Sequence, residues 1–275
     1  PLDIAMTLLS IVLMGGTVLF ASDLTHQILG LCLLALWAAH FSLNYRYYTT
    51  LFRGKYAPYR ILQTVINSCI LLCAILLGVS GIMMGSFLSS SVPVPLGFAR
   101  SAHLISSHWY YFFMCAHIGL HLNMIFSKIA QRRAKPLSSR ASLALKALAA
   151  AVCVYGAFAF YARGLWRYMF GVQQFFFFDF DKGYLLFFVD YIAILVLFAF
   201  LVFVLLAVLF VFFLRIGLRR AIIVITIVLL SLADGKVVAG IVIGRIKAQG
   251  LLVLLNGIAI HFASLQNVPQ IVVAL

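Results

Sequence analysis

The sequence contains no glutamate, and its only acids are six aspartates: Asp3, Asp23, Asp179, Asp181, Asp190 and Asp234. Charged residues make up 9% of the 275 residues, hydrophobic ones make up 65%, and the mean hydropathy is +1.14. So little charge excludes an ordinary soluble domain and predicts an all-α, polytopic membrane protein set in a lipid bilayer. The first four apolar spans hold no acid deep in the membrane, which removes the usual partner of a histidine proton relay. Asp190, near the start of the sixth span, is the one candidate among the main spans. No flavin or nicotinamide motif follows the spans. There is no basic n-region either, and a second apolar run follows the first at once, so the opening segment reads as a transmembrane helix and not as a cleaved signal. The chain opens on Pro1 and not on Met, which predicts a trimmed or incomplete N-terminus.

Cysteine is sparse. Cys32, Cys69, Cys73, Cys115 and Cys153 all lie inside apolar runs, where small buried hydrophobes are expected. Cys69 and Cys73 share a helix face but lack further ligands for a metal.

Basic residues are plentiful: 20 Lys and Arg give a net charge of +14. They gather in short loops between apolar runs, the pattern of the positive-inside rule, so no nucleic-acid partner is implied. Windows of about 20 apolar residues place spans near 2–20, 23–48, 61–87, 101–126, 143–161 and 184–214. Ser22 or Asp23 is positioned to cap the second span. The loops after the second, fourth and sixth spans carry most of the Lys and Arg, which places them and the N-terminus in the cytoplasm. Between the fifth and sixth spans, Trp166, Tyr168 and the run Phe175 to Phe178 read as an interfacial aromatic segment. Beyond Arg215 aromatics nearly vanish. The apolar run 221–232 is short, Asp234 and Lys236 interrupt it, and 237–260 contains Arg245 and Lys247, so 215–275 reads as poorly defined hydrophobic helices.

Six of the seven histidines fall in two stretches. In DLTHQILGLCLLALWAAHFSLNYRYY, His26 and His40 are fourteen residues apart with no charge between them. In a helix that interval rises about 21 Å and stops about 40° short of four turns, so both imidazoles lie on one face. The interval recurs between His103 and His117 in SAHLISSHWYYFFMCAHIGLHLN. These two spans run in the same direction, so their ligands come in pairs at two depths. Haem iron takes one neutral imidazole on each axial face, and two stacked b haems require two such pairs. The expected ligands are His26, His40, His103 and His117. His121, about five full turns from His103, competes with His117 for the last position. Distance to the cytoplasmic edge favours His121, and the matched interval favours His117. His108 is rotated about 140° from His103 and is expected to be structural or near a quinone; His261, in the tail, reads as structural. Arg100 and Arg46 are candidates to meet haem propionates, and Asn44 to meet a propionate or a quinone carbonyl, or else to close the helix end. Gly30, Gly78, Gly81 and Gly85 can let a macrocycle approach the backbone, or serve helix packing.

The segments LDIAMTLLSIVLM, THQILGL, AAHFSLNYRYY and SAHLISSHWYYFFMCAHIGLHLN together resemble the small di-haem cytochromes known as a domain of unknown function linked to flavin-based extracytosolic electron transfer. They are more distantly similar to the cytochrome b subunits of membrane formate dehydrogenases. The resemblance covers about residues 2 to 127. It implies a four-helix bundle over 1–127 with two haem b groups, exchange with quinone or quinol, and an extracytoplasmic redox partner such as a flavoprotein or a multihaem or iron–sulfur subunit. Residues 128–214 then supply two further spans, and 215–275 the poorly defined tail. The expected role is an electron-transfer subunit of an oxidoreductase complex in the inner membrane of a prokaryote. Two alternatives stand beside it: a ferric-reductase-like haem subunit fed by a cytoplasmic flavoprotein, and a histidine-based proton relay or transporter.

Overall fold

The computed structural model of the chain describes residues 2–20, 22–53, 56–85, 95–133 and 137–233, with 228–233 as backbone. Every regular element among the described residues is helical: α1 (Leu2–Leu13), α2 (Asp23–Leu43), α3 (Tyr45–Thr49), α4 (Pro58–Met84), α5 (Leu96–Gln131), α6 (Ser139–Ala162), α7 (Leu165–Met169) and α8 (Gly183–Ala233). Five of them, α2, α4, α5, α6 and α8, are long and apolar enough to cross a bilayer. The chain is therefore an all-α, multi-pass membrane protein.

Helix ends follow local chemistry. The Ser22 hydroxyl, and not Asp23, caps α2 by accepting from the Leu24 amide at 3.2 Å. Ser138 does the same for α6 through Ala141, and Pro58 opens α4, where its missing N–H costs nothing. The first expected span is shorter than its apolar run. α1 stops at Leu13 and a 3-10 turn, Gly16–Leu19, continues the chain, because Gly16 adopts a left-handed φ of +63° that no helix interior accommodates. The sixth span is longer than expected. α8 runs through Arg215, Arg219 and Arg220 without a break and covers 51 residues, since that stretch has no proline and the single interior Gly217 costs only about 1 kcal/mol. The helical residues up to Ala233 thus belong to α8 and not to a separate tail element. The tail features at Asp234, Lys236, Arg245, Lys247 and His261 lie outside the described residues.

Among the described residues, 2–122 and 137–203 form one compact unit, while 123–133 and 204–233 belong to a second. Helices α6, α7 and the first part of α8 share a core with α1, α4 and α5. That core contains Ile11, Met14, Cys73, Ala74, Tyr110, Tyr111, Met114, Cys115, Ala159, Leu165, Phe187, Tyr191 and Ile194. Helix α5 is its axis, and two glycines bring α8 close. A Cβ on Gly119 of α5 would stand 2.4 Å from the Ala199 carbonyl oxygen, and one on Gly156 of α6 would stand 2.4 Å from that of Ala193. Small residues of this kind let membrane helices approach at the backbone, where dispersion takes the place of the hydrophobic drive. Of the cysteines, Cys73 and Cys115 are buried and Cys32 is exposed.

An ion pair ties α6 to α8. Arg163 Nε meets Asp190 Oδ2 at 2.7 Å, and the Tyr155 hydroxyl donates to Asp190 Oδ1 at 2.5 Å. The α7 connection turns partly inward: Tyr168 is buried, whereas Phe170, Phe175 and Phe177 remain exposed as an interfacial segment requires. At its end, a hydrogen bond from the Lys182 ammonium holds the Asp179 carboxyl below its ordinary value.

Candidate functional site

Helices α2 and α5 present their histidines to each other in twos. The ring centroids of His26 and His103 are 6.4 Å apart with planes at 67°, and those of His40 and His117 are 6.5 Å apart at 80°. All four residues are half-buried, turned into the unit. The fourteen-residue intervals on the two helices thus place equivalent pairs at two levels, about 21 Å apart.

The ring separation has a chemical meaning. Each imidazole nitrogen sits about 1.1 Å from its ring centroid, so even rings aimed at each other leave about 4 Å between nitrogens, beyond the reach of a hydrogen bond. Two metal–imidazole bonds of about 2.0 Å on opposite sides of one ion span that same gap. Among the described residues no three or more His, Cys, Asp or Glu side chains converge as a metal-holding group, so the chemistry on offer is that of facing pairs.

Three of the four rings are oriented through Nδ1. His40 Nδ1 lies 2.9 Å from Asp3 Oδ1 of α1, and His117 Nδ1 lies 2.8 Å from Asn67 Oδ1 of α4. His103 Nδ1 lies 3.2 Å from Ser80 Oγ, also of α4. The single Ser80 proton goes to the Leu76 carbonyl at 2.6 Å, so toward His103 the hydroxyl accepts. Nδ1–H donated to these oxygens leaves Nε2 with a free lone pair, the tautomer a metal ligand needs. His26 is the exception. Its Nδ1 is buried with no hydrogen-bond partner, and the Gly16 backbone lies close by.

Asp3, Asn67 and Ser80 were not singled out in the sequence. The available signal was weak: each is a polar residue in a largely apolar run, and nothing in the sequence says which histidine it meets. His121 rests against His117 with centroids 4.8 Å apart, as an i,i+4 neighbour, while the ring across from His40 is that of His117. His108 is buried outside the pairs. Its Nδ1 bonds the Leu104 carbonyl at 2.8 Å, its ring stacks on Tyr168 at 4.5 Å, and its Nε2 has no partner. Asn44 donates from Nδ2 to the His40 carbonyl at 2.8 Å and so closes the end of α2. Arg46 and Arg100 are exposed, near the His40 and His103 ends of the pairs in sequence.

Between the two levels lies an aromatic pair. Tyr110 is seven residues from both His103 and His117, and Trp37 of α2 donates from Nε1 to its hydroxyl at 3.1 Å. Ser10 spends its proton on the Met6 carbonyl at 2.7 Å, so the Tyr110 phenol donates to Ser10 Oγ at 3.2 Å. One buried phenol thereby joins α1, α2 and α5. Trp37 also lines an open, mostly apolar groove between α2 and α4, together with Leu34, Ala38, Phe41, Ser42, Leu71, Ala74 and Ile75.

Comparison of the chain with known protein families, with curated proteins and with solved structures finds no match.

Proposed function

We propose that this chain is a di-haem b membrane subunit that passes electrons between the quinone pool and an extracytoplasmic redox partner. The observation that carries the reading is the pair of ring separations, 6.4 and 6.5 Å, each matching two axial imidazoles across one iron. His26 with His103 would hold one group and His40 with His117 the other. The Nδ1 partners on three of these rings support the same reading, because they fix Nε2 as the donor atom. Room beside the rings supports it too. Gly30, one turn beyond His26, has open space around it.

Haem b held by two imidazoles supplies a one-electron iron couple with no open coordination position, which suits conduction and not oxygen activation. The chain's own residues do the rest. Tyr110 and Trp37 fill the space between the levels and exclude water there. Arg46 and Arg100, cationic and exposed at the ends of the site, are suited to propionates. Basic residues following α3 and α5 favour a cytoplasmic N-terminus, as in a prokaryotic inner membrane, with the His26/His103 level toward the outside. Purified protein should give a reduced-minus-oxidised spectrum with a b-type α band and a pyridine haemochrome ratio of two haems per chain; a colourless preparation that takes up no haem overturns the reading.

One observation favours a second reading, a proton relay. Asp3 gives His40 the acidic partner that the interior of the first four spans lacks. A relay predicts proton movement through liposome-embedded protein that survives haem depletion, and electron conduction predicts that depletion abolishes quinol-driven reduction.

A further inference from the structure

The two histidine pairs are not equivalent in what holds their rings. At the His40/His117 level both Nδ1 atoms face strong acceptors: a carboxylate oxygen at 2.9 Å and an amide oxygen at 2.8 Å. At the His26/His103 level one Nδ1 faces a hydroxyl at 3.2 Å whose proton is already committed, and the other has no hydrogen-bond partner and no side-chain acceptor, only the Gly16 backbone close by. An acceptor on Nδ1–H draws the proton away from the ring and makes Nε2 a stronger donor, which favours the more highly charged, oxidised state of a bound iron. The anionic charge of Asp3 acts in the same direction. We infer that Asp3 and Asn67 are positioning residues that set the His40/His117 centre at the lower reduction potential of the two, so that an electron moving from that level to the His26/His103 level runs downhill.

This rests on the di-haem reading, and the two can fail separately. The full chain, purified with its haem, is titrated potentiometrically while the α band is followed. Wild type should show two resolvable midpoints. His26→Ala, which keeps only the His40/His117 centre, should retain the lower midpoint; retention of the upper one overturns the inference. Asp3→Asn and Asn67→Leu should each raise the lower midpoint while the upper stays in place, and loss of such a contact should also weaken haem retention at that level by about 10- to 100-fold. Asn67→Asp keeps the shape of the side chain and adds charge, so it should move the lower midpoint further down and serves if Asn67→Leu does not fold. Ser80→Ala should shift the upper midpoint by less than Asn67→Leu shifts the lower. Haem at two per chain with midpoints unmoved by Asp3 and Asn67 variants overturns this inference alone. A wild-type chain that binds no haem overturns both.

Discussion

Helices α2 and α5 carry the same histidine interval in opposite surroundings. Helix α5 buries ten residues, among them Ala99, His108, Tyr111 and Cys115, and forms the axis of the core. Helix α2 buries only Leu33 and turns Ile28, Leu31, Leu34 and Phe41 outward. The periodicity of a helix fixes where along its axis two side chains stand, but not what keeps a ring in one orientation. On α5 that task falls to α4, through Ser80 and Asn67. On α2 it falls to α1, through Asp3, and at His26 to no side chain.

The largest expected effect breaks the pairing itself. His103→Ala on the well-packed helix and His40→Ala on the sparsely covered one should each lower the haem-to-chain ratio from two to one, leaving the other level filled. The same measurement separates the two neighbours on α5. His117→Ala should lose a haem and His121→Ala should keep both, because the ring across from His40 at 6.5 Å is that of His117. Equal loss from both variants would mean that the site is shared.

Next in size is the anchor that keeps α5's neighbours in place. The Arg163 and Asp190 side chains are 12% and 8% exposed, and Asp190 also accepts from Tyr155. Removing one partner of a buried pair leaves the other charge uncompensated, at a cost of about 3–5 kcal/mol. Asp190→Asn should destabilise the fold by that margin, read as a lower thermal midpoint in detergent, and Asp190→Asn combined with Arg163→Met should recover part of it.

The contrast sharpens with one substitution made on both helices. Gly119→Ala on α5 drives a Cβ into the Ala199 carbonyl and should cost about 1–3 kcal/mol by overpacking. Gly30→Ala on α2 meets nothing within 4 Å and should leave the apoprotein as stable as wild type or more so, since alanine favours helix by about 1 kcal/mol. A lower haem ratio in Gly30→Ala despite an unchanged apoprotein would place the macrocycle edge at that glycine.

Much of this was legible in the residues. The apolar runs located the five spanning helices, and the repeated interval of fourteen brought His26 to His103 and His40 to His117. Element ends were less legible. A positive φ at Gly16 shortened α1, and the absence of proline carried α8 past three arginines that read as a terminus. The ring-orienting residues were not legible at all. Periodicity relates residues on one helix, whereas Asp3, Asn67 and Ser80 act across helices, and which helix lies beside which is decided by packing. Inward-facing Tyr168 was hidden for the same reason, in a segment whose composition alone matches an interface.

The smallest effect tests what joins the two helices between the levels. Tyr110 of α5 accepts from Trp37 of α2 and donates to Ser10 of α1. In Tyr110→Phe the ring still fills the core, while Trp37 Nε1 loses its acceptor; Ser10 keeps its bond to Met6. The expected loss is about 1 kcal/mol, the net worth of a hydrogen bond of this kind. A double-mutant cycle distinguishes the bond from a general packing defect: with Trp37→Phe already present, Tyr110→Phe should cost markedly less, because the donor it strands is gone. An undiminished cost in that background would mean that α2 is held to α5 by ring packing alone, and that the phenol's place midway between His103 and His117 carries no bonding role.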